Sequence, residues 1–412
     1  MTPTRPMNGS AHAPQASRSG RPAPNLSSSQ HEHDPMSSSL SSSPSKASQS
    51  GQPPRQPNAP AGGSPGSGPP ATGSPGAGSP LASTSRFAAA LARNRESTLL
   101  IVLILVVLGT ALARPGFLNT QNLRDVLLNV AIISLLAAGM TVVMLMRHID
   151  LSIGSVVGLT AYLVGTLYVH NPGMPVLVAL LAGVAMGCVA GFVNGMLVTF
   201  GRVPSLVATL STLYIIRGID YWYVHGGQVN ATSLPDAYSH LATGAWLGVP
   251  NLVLIAAAVL VVIGFYLTYY RGGREFYAIG SNLEAARLAG VAVERRVLIG
   301  FLLTGAIAGL AGALWLARFG TVDASTAKGI ELQVVAAAVV GSVAITGGVG
   351  TIWGATLGAL LLGVINISLV VLRVSPFWQQ AIQGALIVAA ITLDTLLARS
   401  VAKRMMRKRE HV

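Results

Sequence analysis

The stretch PVLVALLAGVAMGCVAGFVNGMLV, from Pro175 to Val198, contains no charged residue and is long enough to cross a lipid bilayer as one helix. Glycine recurs in it at every fourth residue, so these glycines lie on one face of the helix. They are Gly183, Gly187, Gly191 and Gly195. Because glycine has no side chain, such a face allows two helices to come into close backbone contact in lipid. The stretch therefore predicts a membrane span with a helix-packing face, and Gly305 with Gly309 predicts a second one.

The composition extends this interpretation to most of the chain. The 412 residues are 51% hydrophobic and only 10% charged, which is typical of a multi-span membrane protein and not of a soluble domain. Apolar runs of sufficient length predict about ten helices. They lie near 98–113, 125–146, 153–169, 175–198, 204–219, 248–269, 297–317, 331–346, 352–371 and 379–397. The predicted fold is all-α, a polytopic integral membrane protein in which the eighth run is short enough to be partly re-entrant.

Polar segments flank the predicted transmembrane domain, which covers 98–397. Residues 1–97 are rich in Ser, Pro and Gly, which predicts a disordered tail, and 398–412 form a basic C-terminal tail. The first tail carries eight Lys or Arg against three Asp or Glu. Positive charge at both ends of a neutral core favours contact with anionic membrane lipid over nucleic acid. The histidines in HEH at 31–33 are interpreted as a chance cluster, so no metal site is predicted.

Loop charges predict the orientation in the membrane. An even number of spans places both termini on one side, and short loops rich in Lys and Arg are cytoplasmic. The loop at 271–296, between the sixth and seventh predicted spans, carries five arginines, whereas the loop at about 221–246 carries no Lys or Arg. Both termini and the loop at 271–296 are therefore predicted to be cytoplasmic.

The sequence shows neither an ATP-binding loop nor a site that could couple transport to an ion gradient. A phosphate-binding loop requires Gly-Lys followed by Ser or Thr, and none of the four lysines follows a glycine. A gradient-driven carrier usually places ionisable groups at mid-membrane, whereas the predicted spans are nearly free of them. We therefore expect this chain not to be an enzyme and to hold no cofactor, with ATP bound and hydrolysed by a separate subunit.

One short helix is predicted inside the cytoplasmic loop. The pattern Ser281-Asn282-Leu283-Glu284 is typical of a capping box, in which Ser281 and Glu284 each bond the other's backbone N–H, and Gly290 is a natural helix stop. The enclosed helix, 282–289, has about two turns and would be marginal alone. It either lies on the membrane surface or inserts Leu283 and Leu288 into the groove of a partner that pushes on the spans.

Several passages resemble one family of membrane proteins. They are HIDLSIGS at 148–155, GFVNGMLV at 191–198, VPSLVATLSTLYIIRGI at 203–219, GREFYAIGSNLEAARLAGV at 273–291, TGGVGTIWGATLGALLLGVIN at 346–366 and VSPFWQQAIQGALIVAAITLD at 374–394. From about Leu99 to Asp394 the chain resembles the membrane permease subunit of bacterial ATP-binding-cassette importers of the ribose, xylose, rhamnose and autoinducer-2 group. Arg147 and His148 stand where the sugar importers often have small residues.

The resemblance implies a set of partners and a coupling site. A homodimer, or a pair with a similar permease, would work in the bacterial inner membrane with a cytoplasmic ATPase and a periplasmic solute-binding protein. Glu284-Ala285-Ala286 followed by Gly290 resembles the EAA motif that docks importers on their ATPase, although the Leu-Pro that extends this motif is missing. The coupling residues are then Ser281, Glu284, Ala285, Ala286, Arg287, Leu288 and Gly290.

Polar groups within the spans are candidates for a translocation path, since a sugar needs hydrogen-bond partners without charge, and the one carboxylate among the candidates, Asp150, could line the gate. The candidates are Asp150, Ser152, Asn194, Thr209, Thr212 and Asn366, with Asn129, Ser211 and Gln333 as further polar groups. Each of them can instead bond one helix to another, which is common in lipid. For Asp150, capping of the next span is the first interpretation.

The solute and the class of protein keep alternatives open. A monosaccharide of the pentose or deoxyhexose kind, such as ribose, xylose or rhamnose, ranks first, the autoinducer-2 signal second and branched-chain amino acids third. A gradient-driven carrier and a non-transporting receptor are the rival classes. The carrier predicts uptake by this chain alone, and the receptor predicts no loss of uptake when the chain is deleted.

Overall fold

Helices account for most of the computed structural model, which describes residues 95–385, 388, 389 and 392. The helices are α1 (Arg95–Ala113), α2 (Thr120–Leu145), α3 (Ile153–His170), α4 (Val176–Thr199), α5 (Ser205–Val224), α6 (Asp236–Thr243), α7 (Asn251–Tyr269), α8 (Arg271–Ser281), α9 (Leu283–Leu288), α10 (Val293–Phe319), α11 (Ile330–Val340) and α12 (Ile352–Val371). Strands β1 (Ala245–Trp246) and β2 (Val249–Pro250) form a small antiparallel hairpin. A further helical stretch covers 376–385.

Within the described residues, six helices are long and apolar enough to cross a membrane, judged by length and composition. They are α2, α3, α4, α7, α10 and α12. The other predicted spans correspond to α1, to the shorter α11, to α5, which carries Arg217 and Asp220, and to the helical stretch at 376–385. Outside the described residues lie 386, 387, 390, 391 and 393–397 of the tenth predicted span, the C-terminal tail at 398–412 and residues 1–94 of the predicted N-terminal tail. The all-α membrane fold is confirmed.

The core forms around α2 and α10. Every side chain from Val130 to Met146 is buried, because α2 packs against α10, α11 and α12 as well as α7. α10 makes its most extensive contacts with α4, followed by α3 and α2. Apolar side chains on the opposite face of α4, among them Leu181 and Val189, are exposed, as expected of a surface that meets lipid.

The glycine faces of α4 and α10 meet each other. A Cβ atom added to Gly187 would overlap the Gly305 carbonyl oxygen and come within 2.8 Å of the Gly309 Cα atom. Added to Gly183, it would lie 2.9 Å from the Gly309 oxygen. Gly191 and Gly195 continue the contact along α10, against Phe301 and Leu298. The two predicted packing faces are therefore two sides of one helix–helix interface, in which the backbones touch.

Three boundaries differ from the sequence predictions. The loop at about 221–246 contains the end of α5, the helix α6 and the first strand of the hairpin. The loop at 271–296 contains two helices, α8 and α9, where one was predicted. The eighth span, predicted to 346, ends as α11 at Val340, because the Gly341 backbone lies against Gly354 and Ser342 turns the chain with a φ of 69°. With 11 residues, α11 is about 16 Å long, about half of the hydrocarbon core.

Candidate functional site

The helix α9 begins one residue later than the capping-box prediction. Its N-cap is Asn282, whose side chain accepts a hydrogen bond from the Ala285 N–H at 3.1 Å. The prediction that Ser281 is the cap is wrong, because Ser281 is the last residue of α8 and Asn282 donates its N–H to Ala278. Asn is as strong an N-cap residue as Ser, so either of these two adjacent residues could have served as the N-cap of α9. Glu284 lies in the first turn, where the helix dipole favours a negative charge.

The predicted stop at Gly290 is confirmed. Gly290 has a left-handed φ of 79° and donates to the Arg287 oxygen at 2.9 Å, while Val291 donates to the Ala286 oxygen at 3.0 Å. These two bonds form a Schellman motif, which satisfies the last carbonyl groups of the helix. α9 is thus fixed at both ends, although it has only six residues.

Nearly all of the α9 surface is accessible. Ala286 is the only buried side chain between Ser281 and Gly290. Leu288 is 91% exposed and Leu283 38% exposed, so the helix presents apolar side chains outward. A helix of six residues is too short to form without support. Its support comes from α8, and its exposed face is free to contact another molecule.

Two arginines bind Glu275 of α8, and one of them links α8 to the start of α10. Glu275 accepts hydrogen bonds from Arg271 at 2.9 Å, within α8, and from Arg296 in α10. Burial alone would raise the pKa of the Glu275 carboxyl, but the hydrogen bonds and charges of Arg296 and Arg271 outweigh it and hold this pKa below its usual range. The carboxylate is therefore ionised near neutral pH. Its ion pair with Arg296 joins α8 to α10, the helices that precede and follow α9 in the chain.

A buried hydrogen-bond network joins five of the predicted path residues. They are Asp150, Ser152, Asn194, Thr209 and Thr212, and none of their side chains is more than 5% exposed. Ser152 donates through its N–H and Oγ to Asp150 Oδ1 at 2.9 and 2.7 Å. Asn194 donates from Nδ2 to Ser152 Oγ at 2.8 Å and accepts from Thr212 Oγ1 at 2.7 Å. The network therefore links the α2–α3 junction with α4 and α5.

Two details of the network bear on its role. Thr209 donates to the Ile149 oxygen at 3.2 Å and so reaches the same junction through the backbone. Asp150 bonds the N–H of Ser152, the residue just before α3, and no N–H group within α3. The other four side chains bond to one another, whereas the Thr209 hydroxyl bonds only backbone oxygens. This is the arrangement of a helix-linking cluster, and a path would require the helices to separate here.

Asn366, the sixth predicted path residue, lies apart from this network. Its Oδ1 accepts from Gln383 Nε2 at 2.7 Å, and Gln333 Nε2 donates to Gln383 Oε1 at 3.2 Å. These half-buried amides line a cavity of about 20 Å³, which is the size for one water molecule. The sequence indicated Asn366 and Gln333 but not Gln383, because only the packing of 376–385 against α12 brings the third amide between them.

A buried ion pair at the far end of α5 had no defined role in the sequence. Arg217 lies 3.4 Å from Asp220 and donates to the oxygens of Ala324 and Thr326 at 3.1 and 2.8 Å. It therefore fixes the connection between α10 and α11 to α5. The signal in the sequence was a charged pair at the end of an apolar run, but its carbonyl partners lie more than a hundred residues away.

The structure shows no metal site in the part of the chain that it describes, since no three His, Cys, Asp or Glu side chains there are grouped to hold an ion. The histidines at 31–33 lie outside that part.

Replacement of Asn194 by alanine is expected to lower the free energy of unfolding by about 1–3 kcal/mol, because its two hydrogen bonds, to Ser152 and Thr212, would be lost. Each of the two hydroxyls keeps one other partner, the Asp150 carboxylate for Ser152 and the Thr209 oxygen for Thr212. The matched control is Ser211→Ala, since Ser211 is exposed and bonds only the Val207 oxygen of its own helix. Thermal unfolding of the purified protein in detergent measures both. Equal melting temperatures for the two variants would show that the network does not hold the helices together.

The chain is similar to permease subunits of bacterial import systems. A family model described as "Branched-chain amino acid transport system / permease component" matches residues 122–391. The chain is 36% identical over 313 residues to the "Autoinducer 2 import system permease protein LsrC" of Klebsiella pneumoniae subsp. pneumoniae, covering 76% of this chain and 90% of that protein. The protein of the same name from Escherichia coli (strain K12 / DH10B) is 35% identical over 316 residues, covering 77% and 91%. That from Enterobacter sp. (strain 638) is 38% identical over 315 residues, covering 76% and 90%.

Proposed function

Because this chain belongs to the permease-component family of branched-chain amino acid transport systems, and within it to the ATP-binding-cassette importer permeases of the ribose and autoinducer-2 group, we propose that it moves a small uncharged polar solute inward. It is a multi-pass protein of the inner membrane. A separate ATPase supplies the energy, and this chain binds no ATP and catalyses no covalent step. Permeases of this class work with an ATPase and a solute-binding protein, so the partners proposed below belong to these two classes.

The exposed helix α9 carries the proposal. It is too short to form alone, yet both of its ends are capped, and the neighbouring helices α8 and α10 are joined by the ion pair between Glu275 and Arg296. Only Ala286 is buried, and Leu288 is almost fully exposed. A rigid, outward-facing helix with an apolar tip is suited to insertion in a groove of the ATPase. The coupling residues of the sequence analysis belong to this helix or to its C-terminal stop, except Ser281, which is the last residue of α8.

Autoinducer-2 is the solute that we place first. The relatives at 34–38% identity all carry "Autoinducer 2 import system" in their names, and they support this order over the monosaccharide that the sequence alone favoured. A monosaccharide remains the second candidate, because the polar groups at the α2–α3 junction and around Asn366 are amides and hydroxyls with one carboxylate, a set that suits neutral polyhydroxylated molecules of either kind.

The assembly is proposed to be symmetric about the membrane normal. Two copies of this chain, or one copy and a similar permease, would span the membrane, with a periplasmic solute-binding protein outside and the ATPase inside. Both termini would be cytoplasmic, because Lys and Arg concentrate in the tails and in 271–296. Reporter fusions at Arg409 and at Gly227 test the orientation: the first should report cytoplasm and the second periplasm.

Uptake by the reconstituted complex tests the solute. Vesicles containing this chain, with the ATPase and the solute-binding protein that co-purify with it, should take up labelled autoinducer-2 when ATP is supplied. Excess unlabelled ribose should compete poorly, and excess unlabelled leucine should not compete. Efficient uptake of ribose with no uptake of autoinducer-2 would favour the monosaccharide, and uptake of leucine alone would contradict both candidates.

A further inference from the structure

Arg147 has an unusual backbone and an unusual set of partners. It follows Met146, the C-cap of α2, in the junction that leads to α3, and has a left-handed φ of 68°, which few residues other than glycine adopt. Its Nε donates to the Gly280 oxygen at 2.7 Å and its NH2 nitrogen to the Ser281 oxygen at 3.0 Å. These are carbonyl groups at the C-terminus of α8, where a helix lacks internal partners and where its dipole favours a positive charge.

A glycine-rich loop completes this contact. Gly348 donates its N–H to the Leu145 oxygen at 2.9 Å and lies so close to α8 that an added Cβ would be 2.9 Å from the Ser281 nitrogen. A Cβ on Gly280 would overlap the Leu145 oxygen. The end of α2, the end of α8 and the loop at 346–350 therefore meet at one point, with backbone against backbone. We call it the α2–α8 junction.

The α2–α8 junction stands between the two features described above. On one side, Asn282 follows α8 directly and begins α9, the exposed helix. On the other side, the chain passes from Arg147 to Asp150, which begins the buried polar network. The guanidinium of Arg147 is the side-chain link between the two, because it bridges two successive carbonyl groups of α8 with a planar pair of donors.

We propose that Arg147 is a positioning residue for transport, and that it transmits displacement of α9 to the α2–α3 junction. This inference rests on the proposed function, since it takes α9 as the surface that the ATPase moves. When α9 is pushed, the carbonyl groups of Gly280 and Ser281 move with α8, and the guanidinium draws the end of α2 with them. The network around Asp150 then receives the movement. Arg147 contacts neither ATP nor solute; it acts through the two helices that it joins.

The test compares Arg147→Gly with Arg202→Gly. Both arginines have a left-handed backbone, with φ values of 68° and 53°, so glycine suits both positions and neither variant is expected to lose folded protein. Arg202 is exposed, in the connection between α4 and α5. Vesicles containing each variant, with the co-purified ATPase and solute-binding protein, report three quantities: retained ATPase, ATP hydrolysed, and labelled autoinducer-2 taken up per ATP.

Arg147→Gly should retain the ATPase and hydrolyse ATP, but uptake per ATP should fall by about tenfold, a change within the ordinary range of coupling between two sites. Arg202→Gly should match the wild type. Arg147→Lys should have an uptake per ATP between those of Arg147→Gly and the wild type. An ammonium keeps the positive charge but lacks the planar pair of N–H donors that bonds two carbonyl groups at once.

Three results decide between the inference and the function on which it rests. An unchanged uptake per ATP in Arg147→Gly would overturn the inference alone. Loss of the ATPase from Arg147→Gly would also overturn it, because Arg147 would then shape the docking surface and transmit nothing. A wild type that holds no ATPase and takes up solute without ATP would overturn the proposed function, and this result is visible before any variant is measured.

Discussion

Replacement of Gly187 by leucine is expected to remove most of the folded protein from the membrane. At this position a Cβ alone would overlap the Gly305 carbonyl oxygen and lie 2.7 Å from the Gly309 nitrogen, and both contacts are backbone atoms that cannot rotate away. The helices α4 and α10 would have to separate along their whole glycine interface. Overpacking of a close interface typically costs about 1–3 kcal/mol and can exceed that where only backbone movement relieves it.

The matched control for this prediction is Gly218→Leu. Gly218 is also a helical glycine, in α5, but it is exposed and an added Cβ would meet no atom within 4 Å. The amount of monodisperse protein after size-exclusion chromatography in detergent measures the effect. We expect Gly218→Leu to yield as much protein as the wild type and Gly187→Leu to yield only a small fraction of it. A normal yield for Gly187→Leu would show that α4 and α10 are not in backbone contact.

Replacement of Leu288 by aspartate is expected to abolish transport while leaving the permease intact. Leu288 is 91% exposed, so its replacement removes no internal contact and should not change the folded yield. If the side chain enters an apolar groove of the ATPase, a carboxylate there would be buried without a partner. Loss of a central apolar anchor typically costs an interface about 2 kcal/mol or more, so the ATPase should no longer co-purify and uptake should be lost.

Leu247→Asp provides the comparison for Leu288→Asp. Leu247 is 83% exposed and lies in the turn of the β1–β2 hairpin, on the surface that we place on the periplasmic side. Its replacement by aspartate makes the same chemical change far from the proposed docking helix. Its variant should hold the ATPase and take up solute at the wild-type rate. Normal co-purification and uptake by Leu288→Asp would mean that α9 is not the docking helix.

The sequence predicted the features of this structure that depend on local periodicity. Glycine at every fourth residue indicated the packing faces of α4 and α10, because neighbours on one face of a helix follow from spacing alone. Gly290 was identified as a helix stop for a similar reason, since its left-handed backbone satisfies a local motif. The N-cap of α9 was misplaced by one residue because Ser281 and Asn282 are both good caps, and only the hydrogen bonds of α8 decide between them.

Features that depend on distant contacts were not predicted. The network residues were named singly, but Asn194 and Ser152 are 42 residues apart, so their hydrogen bond required the packing of α4 against α3. The amphipathic helix α8 was not predicted, because its buried face, which includes Phe276 and Glu275, is covered only by contacts with α2, α7 and α10. Arg147 offered no signal in the sequence beyond its departure from the small residues of similar importers.

The central claim is that this chain moves solute only when a separate ATPase docks on α9 and hydrolyses ATP. Uptake of labelled autoinducer-2 by vesicles tests it most directly, with the chain present alone or with its ATPase and solute-binding protein. The account predicts uptake only in the complete assembly with ATP, and no uptake by the chain alone under an imposed proton or sodium gradient. Uptake driven by a gradient through this chain alone would contradict it.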